Sequence, residues 1–187
     1  MFIQTEATPN PATLKFLPGR PVLDQGTLEF LDPATSKASP LAARLFEIDG
    51  VKGVFFGTDF ISVTKGEGEW QHLKPAILGA IMEHYLSGEA VTEGEKTGSE
   101  SSPAGEFFAP EDEETVKTIK ELLETRVRPA VAQDGGDITF QGYRDGVVFL
   151  HMRGACSGCP SSTATLRHGI ENLLRHFIPE VQEVRPV

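Results

Sequence analysis

Residues 89–106, EAVTEGEKTGSESSPAGE, divide the chain in two. Eighteen positions hold one large apolar side chain, Val91, among Glu, Gly, Ser and Thr. Such a stretch buries too little apolar surface to offset the entropy of ordering, so it predicts a flexible acidic linker over 89–110. One core running through the whole chain is thereby excluded. The sequence on either side, 1–88 and 111–187, must fold as two small domains. Apolar side chains supply 39% of the residues, enough for two cores of ordinary make-up. Phe107 and Phe108 end the polar run. They are expected to dock onto the second domain, with a partner-binding motif as the alternative use of such a pair.

In the first domain, Phe2–Glu6 and Thr13–Leu17 read as strands around the turn Pro9-Asn10-Pro11, with Thr27–Leu31 a weaker third. Ser39 before Pro40 starts a helix that runs to about Ile48. Val51–Phe56 and Phe60–Thr64 form a hairpin across Gly57-Thr58-Asp59. A second helix, about His72–Leu86, sets Leu73, Ile77, Ala80, Ile81 and Tyr85 on one face and stops at Gly88. The second domain opens with a helix over Thr115–Val127. Strands Ile138–Tyr143 and Val147–Met152 follow around Asp145-Gly146. A helix over Ser161–Phe177 turns Leu166, Ile170, Leu173, Leu174 and Phe177 inward, and Val181–Val184 is a last strand. The fold class is α+β: two domains, each a small sheet packed against helices, the second in α-β-β-α-β order.

Seventeen basic residues face 27 acidic ones, a net charge of −10, so a polyanion is repelled and nucleic acid is excluded as principal partner. The longest stretch free of polar residues, Pro75 to Met82, is far shorter than the roughly 20 residues that span a bilayer, so no membrane partner is expected. The N-terminus shows neither the basic and apolar regions of a secretory signal nor the Arg-rich character of a transit peptide. Walker A, G-x-S-x-G and H-E-x-x-H patterns are all missing, which argues against an enzyme of those classes.

The chemistry rests on two cysteines, Cys156 and Cys159, in Gly154-Ala155-Cys156-Ser157-Gly158-Cys159-Pro160-Ser161-Ser162. A lone C-x-x-C of this kind is a metal or redox site rather than a disulfide framework. It joins a strand end to a helix start. The flanking glycines let the backbone turn so that both sulfurs face one side. The helix N-terminus beyond favours thiolate over thiol. Two thiolates make half a tetrahedral zinc site or half the ligand set of an iron–sulfur cluster. The chain has no further cysteine, and its five histidines show no ligand spacing. A two-fold dimer in which each chain donates Cys156 and Cys159 completes the set. A dithiol–disulfide oxidoreductase and a zinc-tethered dimer remain as alternatives, because spacing does not separate zinc from iron–sulfur. Asp134 and Asp137 read as a turn rather than a carboxylate pair. Arg153, Arg167 and His168 read as solvated surface charge rather than as a screen for a cluster.

The motif Gln133-Asp134-Gly135-Gly136-Asp137-Ile138, followed by the cysteine segment and a helix, closely resembles the NifU C-terminal-like domain. Phe2-Ile3-Gln4-Thr5 through Thr8-Pro9-Asn10-Pro11 and Leu14-Lys15-Phe16, with Val54-Phe55-Phe56-Gly57, resembles the Nfu N-terminal domain. The family implied is that of the Nfu iron–sulfur cluster carriers or scaffolds. The resemblance implies a non-enzymatic carrier with a [4Fe–4S] cluster as cofactor, bound by Cys156 and Cys159 and shared between two chains. Its partners would be a second copy when cluster-bound, apo iron–sulfur proteins as clients, and an upstream cluster donor. A chain that enters family-like sequence at Met1 fits a bacterial cytoplasm, with the mitochondrial matrix as the alternative.

Overall fold

The computed structural model describes residues 1–93, 106–155 and 160–187. Cys156 and Cys159, and the part of the expected linker at 94–105, lie outside the described residues. The chain forms two compact units, Met1–Glu100 and Ser101–Val187, of mixed α+β structure.

Unit one holds β1 (Gln4–Ala7), β2 (Thr13–Leu17), β3 (Leu28–Phe30), α1 (Pro40–Phe46), β4 (Val51–Phe56), β5 (Ile61–Lys65) and α2 (Trp70–Ser87). Its sheet is antiparallel in the order β1-β2-β5-β4-β3. Ser39 caps α1 by accepting from the Ala42 amide at 3.1 Å, with Pro40 in the first turn. One sheet face, with Phe16, Val54, Phe56, Ile61 and Val63, packs against Leu41 and Leu45 of α1 and Leu73, Ile77 and Ile81 of α2. Residues beyond α2 are tied to this unit. Glu89 meets Arg44 at 2.9 Å, the Ser39 hydroxyl donates to the Val91 carbonyl, and the Glu93 amide donates to Ala38 at 2.9 Å.

The apolar stripe of α2 ends on a histidine. His84 is fully buried one turn after Ile81, and neither ring nitrogen has a hydrogen-bond partner among the described residues. Burial, reinforced by the Arg44 charge, holds its pKa below the ordinary value. The neutral ring is therefore the form that packs. Below pH ~6.5 the unfolded chain takes up a proton that the folded unit refuses, so stability falls as pH drops. Above that pH the group is neutral in both states and contributes no slope. Trp70 is the only tryptophan and lies in this unit, so its fluorescence reports this unit's unfolding. Between pH 7.5 and 5.5 the unfolding free energy read from urea titrations of Trp70 fluorescence should fall, by up to about 1.4 kcal/mol per pH unit. In His84→Leu that part of the slope should vanish. An equal slope in both proteins would assign the acid sensitivity to other groups.

Unit two holds α3 (Glu113–Leu122), α4 (Arg128–Gln133), β6 (Gly136–Arg144), β7 (Val147–Gly154), α5 (Pro160–Phe177) and β8 (Glu183–Pro186). Its sheet runs β6-β7-β8, with β6 and β7 antiparallel and β7 and β8 parallel. The first helix does not stop at Val127 as its periodicity suggests. A wide turn over Leu123–Val127 carries it into α4 and on to Gln133. Pro129 cannot donate to an i−4 carbonyl, and the widened turn places it in the first turn of a new helical segment, where no donor is needed. Leu122, Leu123, Val127 and Val131 thereby stay in one core with Ile138, Phe140, Val148, Leu150, Ile170 and Leu174.

One inward placement and one strand boundary need correction. Phe177 is 46% exposed under the Arg126 guanidinium, 5.1 Å from its ring centre, and Ile178 fills the core position one turn after Leu174. The last strand begins at Glu183 rather than Val181, because the Val181 amide is spent in a turn on the Ile178 carbonyl at 3.1 Å. Phe107 docks as expected. It bridges Gly142 in parallel, its ring lies 5.1 Å from that of Phe149, and a Cβ on Gly142 would fall 2.5 Å from the Phe107 ring. Phe108 remains exposed. Glu106 meets Lys120 at 2.5 Å, so this end of the run is anchored too.

Candidate metal centre

The cysteine segment hangs between two well-formed elements. On one side β7 ends at Gly154, paired with Gly136 at the start of β6. On the other α5 begins at Pro160. Four residues, 156–159, connect them from the buried Ala155 onward. The turn that ends α4 closes over this strand end: the Ala155 amide donates to the Gly135 carbonyl at 3.3 Å. Gly135 and Gly154 have φ of 80° and 64°, the left-handed region that side chains with a Cβ rarely adopt. Both therefore act as fixed corners of the loop's base.

A buried ion pair locks that base. Asp137 is 3% exposed and lies opposite Arg153 across β6 and β7. Arg128, at the start of α4, grips it with both nitrogens: Nε to Oδ1 at 2.9 Å and Nη2 to Oδ2 at 3.0 Å. Asp137 Oδ1 also accepts from the Ile138 amide at 2.8 Å. Glu124 binds the remaining face of the guanidinium through Nη1. These bonds, those to Asp137 first, push the Arg128 pKa further above its ordinary value. Planar two-point pairing of this kind sets orientation as well as energy. One helix, one strand start and, through the Gly136–Gly154 pairing, the end of β7 are thus held in one geometry.

The expected turn at Asp134-Gly135-Gly136-Asp137 is present: Asp134 follows the last residue of α4, and β6 starts at Gly136. Asp137 belongs to Arg128 rather than to a carboxylate pair. Arg153 is half-buried on β7, and His168 is exposed on α5. Arg167 is half-buried on α5, and its Nε, enclosed by protein, meets no hydrogen-bond partner among the described residues. Among the described residues no three His, Cys, Asp or Glu side chains cluster as metal ligands. Sequence reading missed Arg128, since an arginine nine residues before an aspartate matches no spacing rule.

The described elements thus bracket the cysteine segment in sequence: β7 ends beside it at a strand pairing held by Asp137 and Arg128, and the 18-residue helix α5 begins just after it. As thiolates, two cysteines three apart in sequence suit a soft metal and leave its other coordination positions to be filled.

Comparison with known proteins bears on what fills them. The family described as "Scaffold protein Nfu/NifU N terminal" matches residues 3–88, and that described as "NifU-like domain" matches 119–185. Among curated relatives, "NFU1 iron-sulfur cluster scaffold homolog, mitochondrial" of Homo sapiens is 51% identical over 100% of this chain and 72% of its own length. The protein of the same name from Drosophila sechellia is 50% identical over 100% of this chain and 65% of its own. "NifU-like protein 4, mitochondrial" of Arabidopsis thaliana is 49% identical over 98% of this chain and 65% of its own. The chain thus spans about two thirds of the length of two of these three relatives.

Proposed function

The chain belongs to the Nfu/NifU family of iron–sulfur cluster scaffold proteins, and we propose that it is a non-catalytic carrier that holds a [4Fe–4S] cluster between two copies of itself and passes it to apo-proteins. The observation that carries this reading is the braced strand end and helix start on either side of a lone C-x-x-C. Cys156 and Cys159 are the ligands. The cluster is cargo, and the protein's part is to hold it firmly enough to protect it and loosely enough to release it. Four cuboidal irons each want a terminal ligand, and one chain offers two sulfurs. A two-fold pair of loops offers four, and the same symmetry brings two helix N-termini toward the cluster's negative charge. Release then needs only that the pair separate.

Residues 111–187 carry the cluster in this reading, and 89–110 tether them to the domain over 1–88. That domain contains no cysteine, so its part is recognition of clients or of the donor. The relatives' names speak for the mitochondrial matrix over a bacterial cytoplasm as compartment. Either is reducing enough to keep the two thiols free.

Anaerobic reconstitution with ferrous iron and sulfide tests the proposal. About four irons and four sulfides per two chains, a broad band at roughly 400 nm and a doubled native mass are expected for a centre held by four thiolates. A colourless zinc dimer, or a disulfide cycling between oxidised and reduced chains with no cluster taken up, would overturn it.

A further inference from the structure

Unit two packs its helices on one face of the three-stranded sheet and turns the other face outward. Ile138, Phe140, Val148, Leu150, Met152 and Val184 lie in the core. By strand alternation, Thr139 and Arg144 of β6, Phe149, His151 and Arg153 of β7, and Arg185 of β8 line the opposite face. They are half-buried or exposed.

The charge on this face is opposite in sign to that of the chain, whose net charge is −10. Its two carboxylates are already engaged. Glu183 is bound by Arg185 at 3.0 and 3.2 Å, and Asp137 is gripped by Arg128. Among the described residues no carboxylate forms an ion pair with Arg144 or Arg153. Arg144 lies over the Phe107 ring at 5.5 Å, and that ring stacks on Phe149. Two guanidiniums without an ion-pair partner among the described residues thus stand at opposite ends of a strip with an aromatic patch and His151 between them. Arg144 is level with Val147, and Arg153 lies six residue steps along β7 from Val147, about 20 Å.

We propose that this face receives an extended acidic segment of an apo-protein partner. Carboxylates at its two ends meet Arg144 and Arg153, and an apolar side chain between them rests against the stacked Phe107 and Phe149 rings. A strip of this length takes about six residues of extended chain. Arg153 immediately precedes Gly154, so a segment docked here is held at the base of the cysteine loop. Identifying the partner as a cluster recipient rests on the carrier reading above. The surface itself does not, and its test uses cluster-free protein.

The probe is a fluorescein-labelled octapeptide with two acidic residues at each end and a central phenylalanine, titrated against the full-length apo chain by anisotropy. Binding should weaken at least tenfold between 0.05 and 0.5 M salt, as the screening length shrinks, and a charge-reversed peptide with lysines at its ends should not bind. Arg144→Glu/Arg153→Glu should weaken acidic-peptide binding at least tenfold with an unchanged circular dichroism spectrum. Arg144→Glu alone, at the end remote from the loop, should reconstitute cluster as the parent does yet bind the peptide more weakly. Equal binding of both peptides, or equal binding by the parent and the double variant, overturns the proposal. So does an apo dimer that the double variant dissociates, since the occupant would then be a second copy. Failure of the parent to take up any cluster would strike the carrier reading and leave the peptide result standing.

Discussion

Cys156→Ser and Cys159→Ser proteins, reconstituted anaerobically beside the parent, should come out colourless and monomeric. The argument is one of ligand number. In a shared site each substitution is made twice, so a dimer of either variant keeps two of four thiolates. Serine is a weak replacement, because its hydroxyl is far harder to deprotonate than a thiol and too hard a donor for iron in a sulfide cage. Two irons would be left to water, and the cluster should be lost on the first desalting step. Both substitutions are conservative in volume, so the circular dichroism spectrum should match that of the parent. The readouts are the ratio of absorbance near 400 nm to protein, bound iron, and native mass. A Cys159→Ser protein with a full complement of iron, or a cluster retained by a strict monomer, would refute sharing between chains.

The parts of this protein legible in its sequence are those governed by short-range rules. Ser39-Pro40 marks α1 because a cap and a first-turn proline act locally. Leu73, Ile77 and Ile81 mark α2 because spacing alone puts them on one face. Gly154 stands out beside the cysteines because only a residue without a Cβ adopts its φ of 64° easily. Three features escaped such rules. His84 continues the α2 stripe, yet as a polar residue it drops out of any apolar pattern, and only packing shows it buried, with both nitrogens unpartnered among the described residues. The helix expected to end at Val127 runs on through Pro129, because the widened turn before the proline removes the conflict. At the end of α5, whether Phe177 or Ile178 enters the core depends on where the chain leaves the helix, and Arg126 stacking on the exposed ring comes from another helix altogether.

The pairing of Arg128 with Asp137 is the least legible feature and the one with the largest expected consequence for stability. In Arg128→Leu, Asp137 keeps its place at the start of β6, 3% exposed, and loses the cation that satisfies both its oxygens. Breaking a buried pair from one side costs about 3–5 kcal/mol, and Arg128's partial exposure argues for the lower end. That is a fall of about 12–24 °C in the melting temperature of a unit this size. Asp137→Asn should cost less. The amide oxygen can still accept from Ile138, and the freed guanidinium keeps Glu124. The double variant should be more stable than Arg128→Leu alone, because no stranded charge remains, and a double-mutant cycle measures that difference as coupling. Trp70 reports unit one only, so the effect should appear in the far-ultraviolet dichroism transition and not in the tryptophan transition. The same variant should also hold its cluster poorly, since the Gly136–Gly154 pairing and the Ala155 bond to Gly135 rest on the strand start that Arg128 clamps. A single variant as stable as the parent, or costs that simply add in the double, would show that the carboxylate finds other compensation and that the loop's base does not depend on this pair.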